Sequence, residues 1–425
     1  MSALASAATV PFPAQALRAQ FPALQRVAAG VLFDNAAGAQ VPQRVLDAVN
    51  THLLEHNVQR GGRYAQSVAV DATIQRARGH VAALLNARRP EEVAFGMNAT
   101  SFIRLVSLAI GQTLGARNEI IVTDLDHEAN VATWLALERM GAKFHWWRVR
   151  GDGALHSADL EPLLGPRTRL LVCALASNAL GSIVDVRRAA ALVHAAGAEI
   201  FLDSVHYAPH GPIDVQALDC DYLVCSGYKV FAPHMGFLWG RYELLAALPT
   251  FREDFIPDEP PGKIEAGTFI YENVAGMAAA VDYLAALGRT LRGQDSSPPQ
   301  LHADCQAALA AIRSYEQELS RELLGVLRAA GATVYGFSDP ADVGRRVPTL
   351  CFNLPGVAPA AVSEGAARAG IAIRDGHMYA PRLMRRLGLS VESGAVRASL
   401  VHYNTPAEIH RFGEVLAGLS RAAGR

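Results

Sequence analysis

The sequence predicts an α/β protein with a mostly parallel sheet covered by helices, followed by a smaller α/β region toward the C-terminal end. Three observations carry that reading. Short β-branched runs alternate with alanine-rich amphipathic segments, the pattern of strands joined by covering helices. His127, Asn178, Asp203 and Ser226 to Lys229 each fall just after a predicted strand, and ligands of such sheets bind outside the carboxyl ends of the strands. The chain has 425 residues, 51% of them hydrophobic, enough for two domains with a large buried core.

Taken in order, Gly96 to Ser101 precedes an amphipathic helix, Phe102 to Ile110. Glu119 to Thr123 predicts a strand, His127 to Met140 a helix and Phe144 to Val149 a strand. Arg169 to Ala174 is the next strand, and Val186 to Ala196 is a helix leading into the strand Glu199 to Leu202. Tyr222 to Cys225 and Phe237 to Trp239 are further strands. Gly288 to Leu301 contains Gly-Gln-Asp-Ser-Ser-Pro-Pro and predicts a flexible loop. Beyond it come a long helix, a strand Thr349 to Leu354, another helix and a strand Ile371 to Arg374. The expected division is 1–30 as an N-terminal segment packing with the small domain, 31–287 as the large domain and 288–425 as the small domain.

The net charge of -1 gives no electrostatic reason to expect nucleic acid or an anionic membrane as partner. No stretch approaches 18 uninterrupted apolar residues, so no membrane span is expected. Met1 to Leu24 lacks the basic start and apolar run of a signal peptide. The five cysteines form no Cys-x-x-Cys pair, which argues against a disulfide framework or a cysteine metal site. A cytoplasmic protein without a structural metal is expected.

Lys229 is one of only three lysines against 36 arginines. Where arginine fills most cationic positions, a retained lysine suggests a task that guanidinium cannot perform. An amine can lose its proton and attack a carbonyl; guanidinium stays charged. Lys229 follows the apolar run Tyr222 to Cys225, and Asp203 follows Ile200 to Leu202 on the preceding strand. A lysine and an acid at neighbouring strand ends point to a pyridoxal 5′-phosphate site. Lys229 would form the Schiff base, and Asp203 would pair with the pyridine nitrogen. Taken singly, the two residues read equally well as a surface lysine and a helix-capping aspartate; it is the combination that carries the assignment.

The other candidates gather around that pair. Ala99 and Thr100 open the helix after Met97-Asn98, where backbone N–H groups and the helix dipole favour a phosphate, although the same residues make an ordinary N-cap. Ser226 is the second phosphate candidate. His127 would lie over the pyridine ring; no second histidine follows at i+3 or i+4, which argues against a metal ligand. Asn178 and His206 would reach the cofactor's phenolic oxygen, or serve only turn chemistry. Arg397, within an apolar run, needs an anionic partner: a substrate carboxylate or a structural carboxylate.

From Phe33-Asp34-Asn35-Ala36-Ala37 to Val396-Arg397-Ala398-Ser399-Leu400, these motifs together resemble the cysteine desulfurase-like branch of the class V aminotransferase family. The Asp126-His127-Glu128-Ala129-Asn130, Ser177 to Gly181 and Ser226 to Lys229 stretches come in the family's order. The resemblance implies fold type I and a homodimer with shared active sites. It assigns Thr268 to the neighbouring subunit's phosphate and Arg397 to the substrate carboxylate. Asn35, Arg60 and Arg374 fall among the substrate-side residues. Two departures stand out. Tyr228 replaces a usual histidine, and in Arg374 to Ala380 the place of the desulfurase cysteine is held by Tyr379. A phenol, with a pKa near 10, does not replace a thiolate in accepting sulfur.

The expected function is therefore that of a pyridoxal 5′-phosphate enzyme acting on a small L-amino acid, with a lyase that eliminates a β- or γ-substituent favoured. An aminotransferase or a racemase/epimerase is the alternative, and a non-catalytic binding protein on the same fold is more remote. A nicotinamide enzyme ranks below these, because no Gly-x-Gly-x-x-Gly turn follows the first strand.

Overall fold

A computed structural model describes residues 12–26, 30–294 and 298–423. Parts of the expected N-terminal segment (1–11 and 27–29) and of the expected loop (295–297) lie outside the described residues. The strands are β1 Val31–Leu32, β2 Val93–Gly96, β3 Glu119–Thr123, β4 Lys143–Trp147, β5 Thr168–Ala174, β6 Glu199–Asp203 and β7 Tyr222–Ser226. They continue with β8 Gly236–Gly240, β9 Thr333–Tyr335, β10 Thr349–Asn353, β11 Ile371–Ala372, β12 Arg374–Gly376 and β13 Ala395–Ser399.

Seven strands form the main sheet in the order β2-β8-β7-β6-β5-β3-β4. β3 to β7 run parallel, and β8 lies antiparallel between β7 and β2. The central strands are apolar on both faces, because helices cover both: Leu171, Ile200, Leu202 and Leu223 pack into one core, Leu170, Val172, Phe201 and Val224 into the other. Register then sets the site. Ala174 pairs with Asp203, and Asp203 with Val224, so β5 and β6 end at one level and β7 runs two residues past it to Ser226. Asp203 and the turn Gly227–Lys229 emerge together at the carboxyl edge.

A second, four-stranded antiparallel sheet has the order β12-β13-β10-β9. The short parallel pair β1 and β11 joins Val31–Leu32 to the C-terminal region. Between the sheets, the helix Tyr271–Leu291 is long and apolar enough to cross a bilayer, with a mean hydropathy of 1.2. Here its apolar surface is used in packing against the helices Gln43–Glu55, Ala65–Leu85 and Leu301–Ala329.

Several boundaries differ from the sequence reading, each for a local reason. Gly288 to Leu291 ends the helix rather than opening a loop. Gly288 is needed there because a Cβ would lie 1.8 Å from the carbonyl oxygen of Asp304 on the next helix. β4 stops at Trp147, because the Val149 N–H donates to Asp124 Oδ1 (2.7 Å) instead of to a ladder. Helical structure after β3 starts at Ala129, not His127, since the Ala129 N–H donates to His127 Nδ1 (3.1 Å). Ile371 to Arg374 is two short strands, one paired with β1 and one with β13.

Candidate active site

The helix Ala99–Gln112 begins where Asn98 caps it. Asn98 Oδ1 accepts from the Ser101 N–H (2.9 Å) and the Asn98 N–H donates to Ser101 Oγ (3.3 Å), a capping box worth about 1 kcal/mol. The Ala99 N–H donates to Ser226 Oγ (3.0 Å), which ties this helix start to the end of β7. Gly236 on β8 permits the approach: a Cβ there would sit 2.5 Å from the backbone of Asn98.

One cavity is lined by Ala99, Thr100, His127, Asn178, Asp203, His206, Ser226, Tyr228 and Lys229, with Ile103, Ala129, Ala174, Ala176 and Val205 supplying its apolar wall. Lys229 is 7% exposed, and its Nζ has no hydrogen-bond or ion-pair partner among the described residues. Burial, with the Arg397 charge nearby, lowers its pKa to about 8 against the pull of Asp203. Burial raises the pKa of Asp203, partly offset by the Val205 N–H (2.9 Å to Oδ1) and by Lys229. The cavity thus holds an amine readily neutralised near pH 8 and a carboxylate that gains from a cationic partner.

Burial and two nearby cations lower His127 to about 4. The Ala129 N–H occupies its Nδ1, so the imidazole is neutral with the proton on Nε2. Asn178 Nδ2 donates to the Met378 carbonyl (2.7 Å), which leaves Oδ1 buried with no partner. His206, also held neutral by burial, meets Thr349 Oγ1 through Nε2 (3.0 Å).

Five predicted residues stand outside this cavity. Arg397 is buried, donates to the Asn178 carbonyl (2.8 Å) and pairs with Asp34 (Nη2 to Oδ1, 3.0 Å), while its Nε has no partner. Arg374 pairs with the other oxygen of Asp34 (2.9 Å). Asn35 has its whole side chain committed: Nδ2 donates to Leu32 O, Ser399 O and Asn404 Oδ1, and Oδ1 accepts from the Tyr403 hydroxyl. These bonds make Asn35 a structural tie between Leu32, Ser399, Tyr403 and Asn404. Arg60 pairs with Asp71 (3.0 Å), and exposed Thr268 accepts from Gln59 Nε2 (2.8 Å).

Asp34, Asp126 and Tyr228 were not among the predicted site residues. Asp34 sits between Arg374 and Arg397. Asp126 is buried behind the cavity, where it accepts from the Ala174 N–H and from Asn130 Nδ2 (both 2.9 Å); burial first, then the Asp203 charge, lifts it to about 7. Its i,i+4 spacing to Asn130 was a usable signal. The Tyr228 ring stacks on His234, with centroids 4.9 Å apart and planes 8° apart, and lies 5.6 Å from Lys229 Nζ.

An anionic, ring-shaped cofactor suits these residues. A helix start with its N–H groups, a buried carboxylate, a neutral imidazole and an unpartnered amide oxygen line the one cavity. The aminotransferase class-V family matches residues 31–295 and 303–412. A probable cysteine desulfurase of a Synechocystis species is 34% identical over 95% of this chain and 94% of its own length. An aminotransferase-like protein of Gibberella zeae is also 34% identical, over 94% of this chain and 96% of its own. Among solved structures, the apo cysteine desulfurase of Thermococcus onnurineus superposes with a TM-score of 0.85 at 25% identity, covering 98% of this chain and all of that one.

Proposed function

We propose that this chain, which belongs to the class V aminotransferase family and is a pyridoxal 5′-phosphate-dependent enzyme, is a lyase that eliminates a side-chain substituent from a small L-amino acid without loading sulfur onto a cysteine. One observation carries the proposal: Tyr379, 54% exposed, stands in the loop Arg374 to Ala380, and all five cysteines are buried elsewhere. Burial pushes each of those thiols up, to about 12 for Cys225, Cys305 and Cys351, which is unfavourable for a thiolate nucleophile.

Ala99, Thr100 and Ser226 would hold the cofactor phosphate, Asp203 its ring nitrogen, His127 the ring face, and Lys229 would anchor it covalently through its amine. Asn178 Oδ1 and His206 would serve its remaining polar edge. When bound, the cofactor supplies an electron-accepting ring for the charge that develops at the substrate α-carbon. Arg397 would bind the substrate carboxylate, its unpartnered Nε being the donor still to be satisfied. Lys229, once released, would take the α-proton at Nζ; a pKa of about 8 suits a base near neutral pH. Departure of the β- or γ-substituent then needs no protein thiol.

A second reading, cysteine desulfuration, is favoured by the names of relatives such as the Synechocystis protein. Mass spectrometry of products from holoenzyme and L-cysteine separates the two. The proposal expects pyruvate, with sulfide and ammonia released, whereas alanine formed over many turnovers would overturn it. We further propose a homodimer. Exposed Leu53, Leu54, Tyr64 and Val68 support it, as does Thr268 standing outside its own chain's cavity. A monomer in sedimentation at working concentration would remove that part.

A further inference from the structure

We propose a second anion site, in the cleft between the end of β4 and the helix Pro381–Arg386, taking a small dianionic ligand of the phosphate class. The cleft is open, about 490 Å³, and lined by Asp124, Trp146, Arg148, Arg382, Arg385 and Arg386. It lies outside the carboxyl ends of β3 and β4, the side of the sheet that binds ligands.

The four guanidinium groups are held in place yet not exhausted. Arg148 and Arg382 lie 5.5 and 5.3 Å from the Trp146 ring centroid, a cation–π arrangement that orders both. Arg382 Nε and Nη2 each reach the Glu128 carboxylate at 3.1 Å. Arg386 Nε donates to the Val149 carbonyl (2.7 Å). Arg385 has no hydrogen-bond or ion-pair partner among the described residues and is exposed. Each guanidinium carries five N–H donors, so most remain free.

Charge selects the ligand. The carboxylates paired with these groups are Asp124, whose Oδ2 lies 3.6 Å from Arg148 and 3.8 Å from Arg386, and Glu128, while exposed Glu392 acts on Arg385 without forming an ion pair. Four cations against two carboxylates leave two positive charges uncompensated, in a chain whose net charge is -1. A dianion cancels them, and planar guanidinium forks match phosphate oxygens in pairs. Convergence on one hollow, rather than along a stripe, favours a small molecule over an acidic peptide.

The site has a route to the active-site cavity. Its helix follows the loop whose Met378 carbonyl accepts from Asn178 and whose Tyr379 carbonyl accepts from the Glu128 N–H (2.8 Å). A bound anion would therefore bear on the segment bordering the cavity.

Calorimetric titration of the holoenzyme with inorganic phosphate, at low salt and a pH where it is the dianion, tests the proposal, since a filled cofactor site keeps the phosphate cradle out of the measurement. Saturable binding is expected, weakened about tenfold or more in both Arg385→Gln and the R148Q/R385Q double variant, with cofactor absorbance unchanged. Absence of saturable heat in the wild type, or equal affinity in wild type and the double variant, overturns it. Tighter binding of a hexaglutamate peptide than of inorganic phosphate overturns it too, in favour of a protein-docking surface.

Discussion

Around Asn35 the buried polar atoms are paired several times over, while around Lys229 several have no partner among the described residues. Asn35 ties Leu32, Ser399, Tyr403 and Asn404 together, Ser399 Oγ accepts from the Ala36 N–H, and Asn404 Oδ1 accepts from the Val401 N–H. Among the described residues, Asn178 Oδ1 in the cavity and Arg397 Nε beside it are buried without a partner, and Lys229, 7% exposed, makes no hydrogen bond or ion pair through Nζ. Leaving a buried polar group unpaired costs about 1–3 kcal/mol. At Asn178 Oδ1 in the cavity and Arg397 Nε beside it a ligand can offset that cost, so the two regions separate polar groups that hold the chain together from polar groups that await a partner.

The contrast can be broken at its strongest point first. Lys229→Ala should lower turnover by about 10²–10⁴-fold, the usual weight of a positioned proton-transfer group, and abolish the borohydride-sensitive cofactor absorbance without lowering the urea midpoint of the apoprotein. A variant retaining that absorbance would remove Lys229 from its assigned place. Asn35→Ala should do the reverse. It should lower apoprotein stability by about 1–3 kcal/mol for each partner left unsatisfied, seen as a lower urea midpoint, with the folded fraction still binding cofactor. An unchanged midpoint would mean that water replaces the Asn35 contacts without loss.

A third effect concerns protons. Lys229 has a pKa of about 8 when folded against an ordinary 10.5, so between those values the unfolded chain holds more protons. Apoprotein stability should therefore rise with pH across that window and be flat below it, and K229M should erase the rise. The rate of cofactor uptake should climb with pH toward 8 and level off above it, because the neutral amine is the reactive form. A flat stopped-flow profile from pH 6 to 9 would contradict a depressed amine.

Much of this arrangement was legible in the sequence. Asp203 and Lys229 were recognisable because each follows an apolar run that could only be a buried strand, and His127 and Asn178 were found by the same rule. The reading failed where partners are distant. The tie that Asn35 makes was not legible, because its hydrogen-bond partners Ser399, Tyr403 and Asn404 come from the other end of the chain. Asp34 went unassigned because Arg374 and Arg397 reach it only across the β1–β11 pairing and its bridge to Ser399. Gly288 was taken for a loop residue because its neighbour in space, Asp304, lies on another helix.

By itself, then, the sequence determined the α/β order of elements, the strand ends that carry the reactive groups, and the lysine chemistry. Residue periods of 2 and 3.6 and the amine's capacity to lose a proton are local properties. The tertiary structure alone decided which arginine faces which carboxylate, which polar atoms remain unpaired, and how far burial moves each pKa. Those depend on strand register and on the desolvation imposed by distant residues, and no local pattern encodes either.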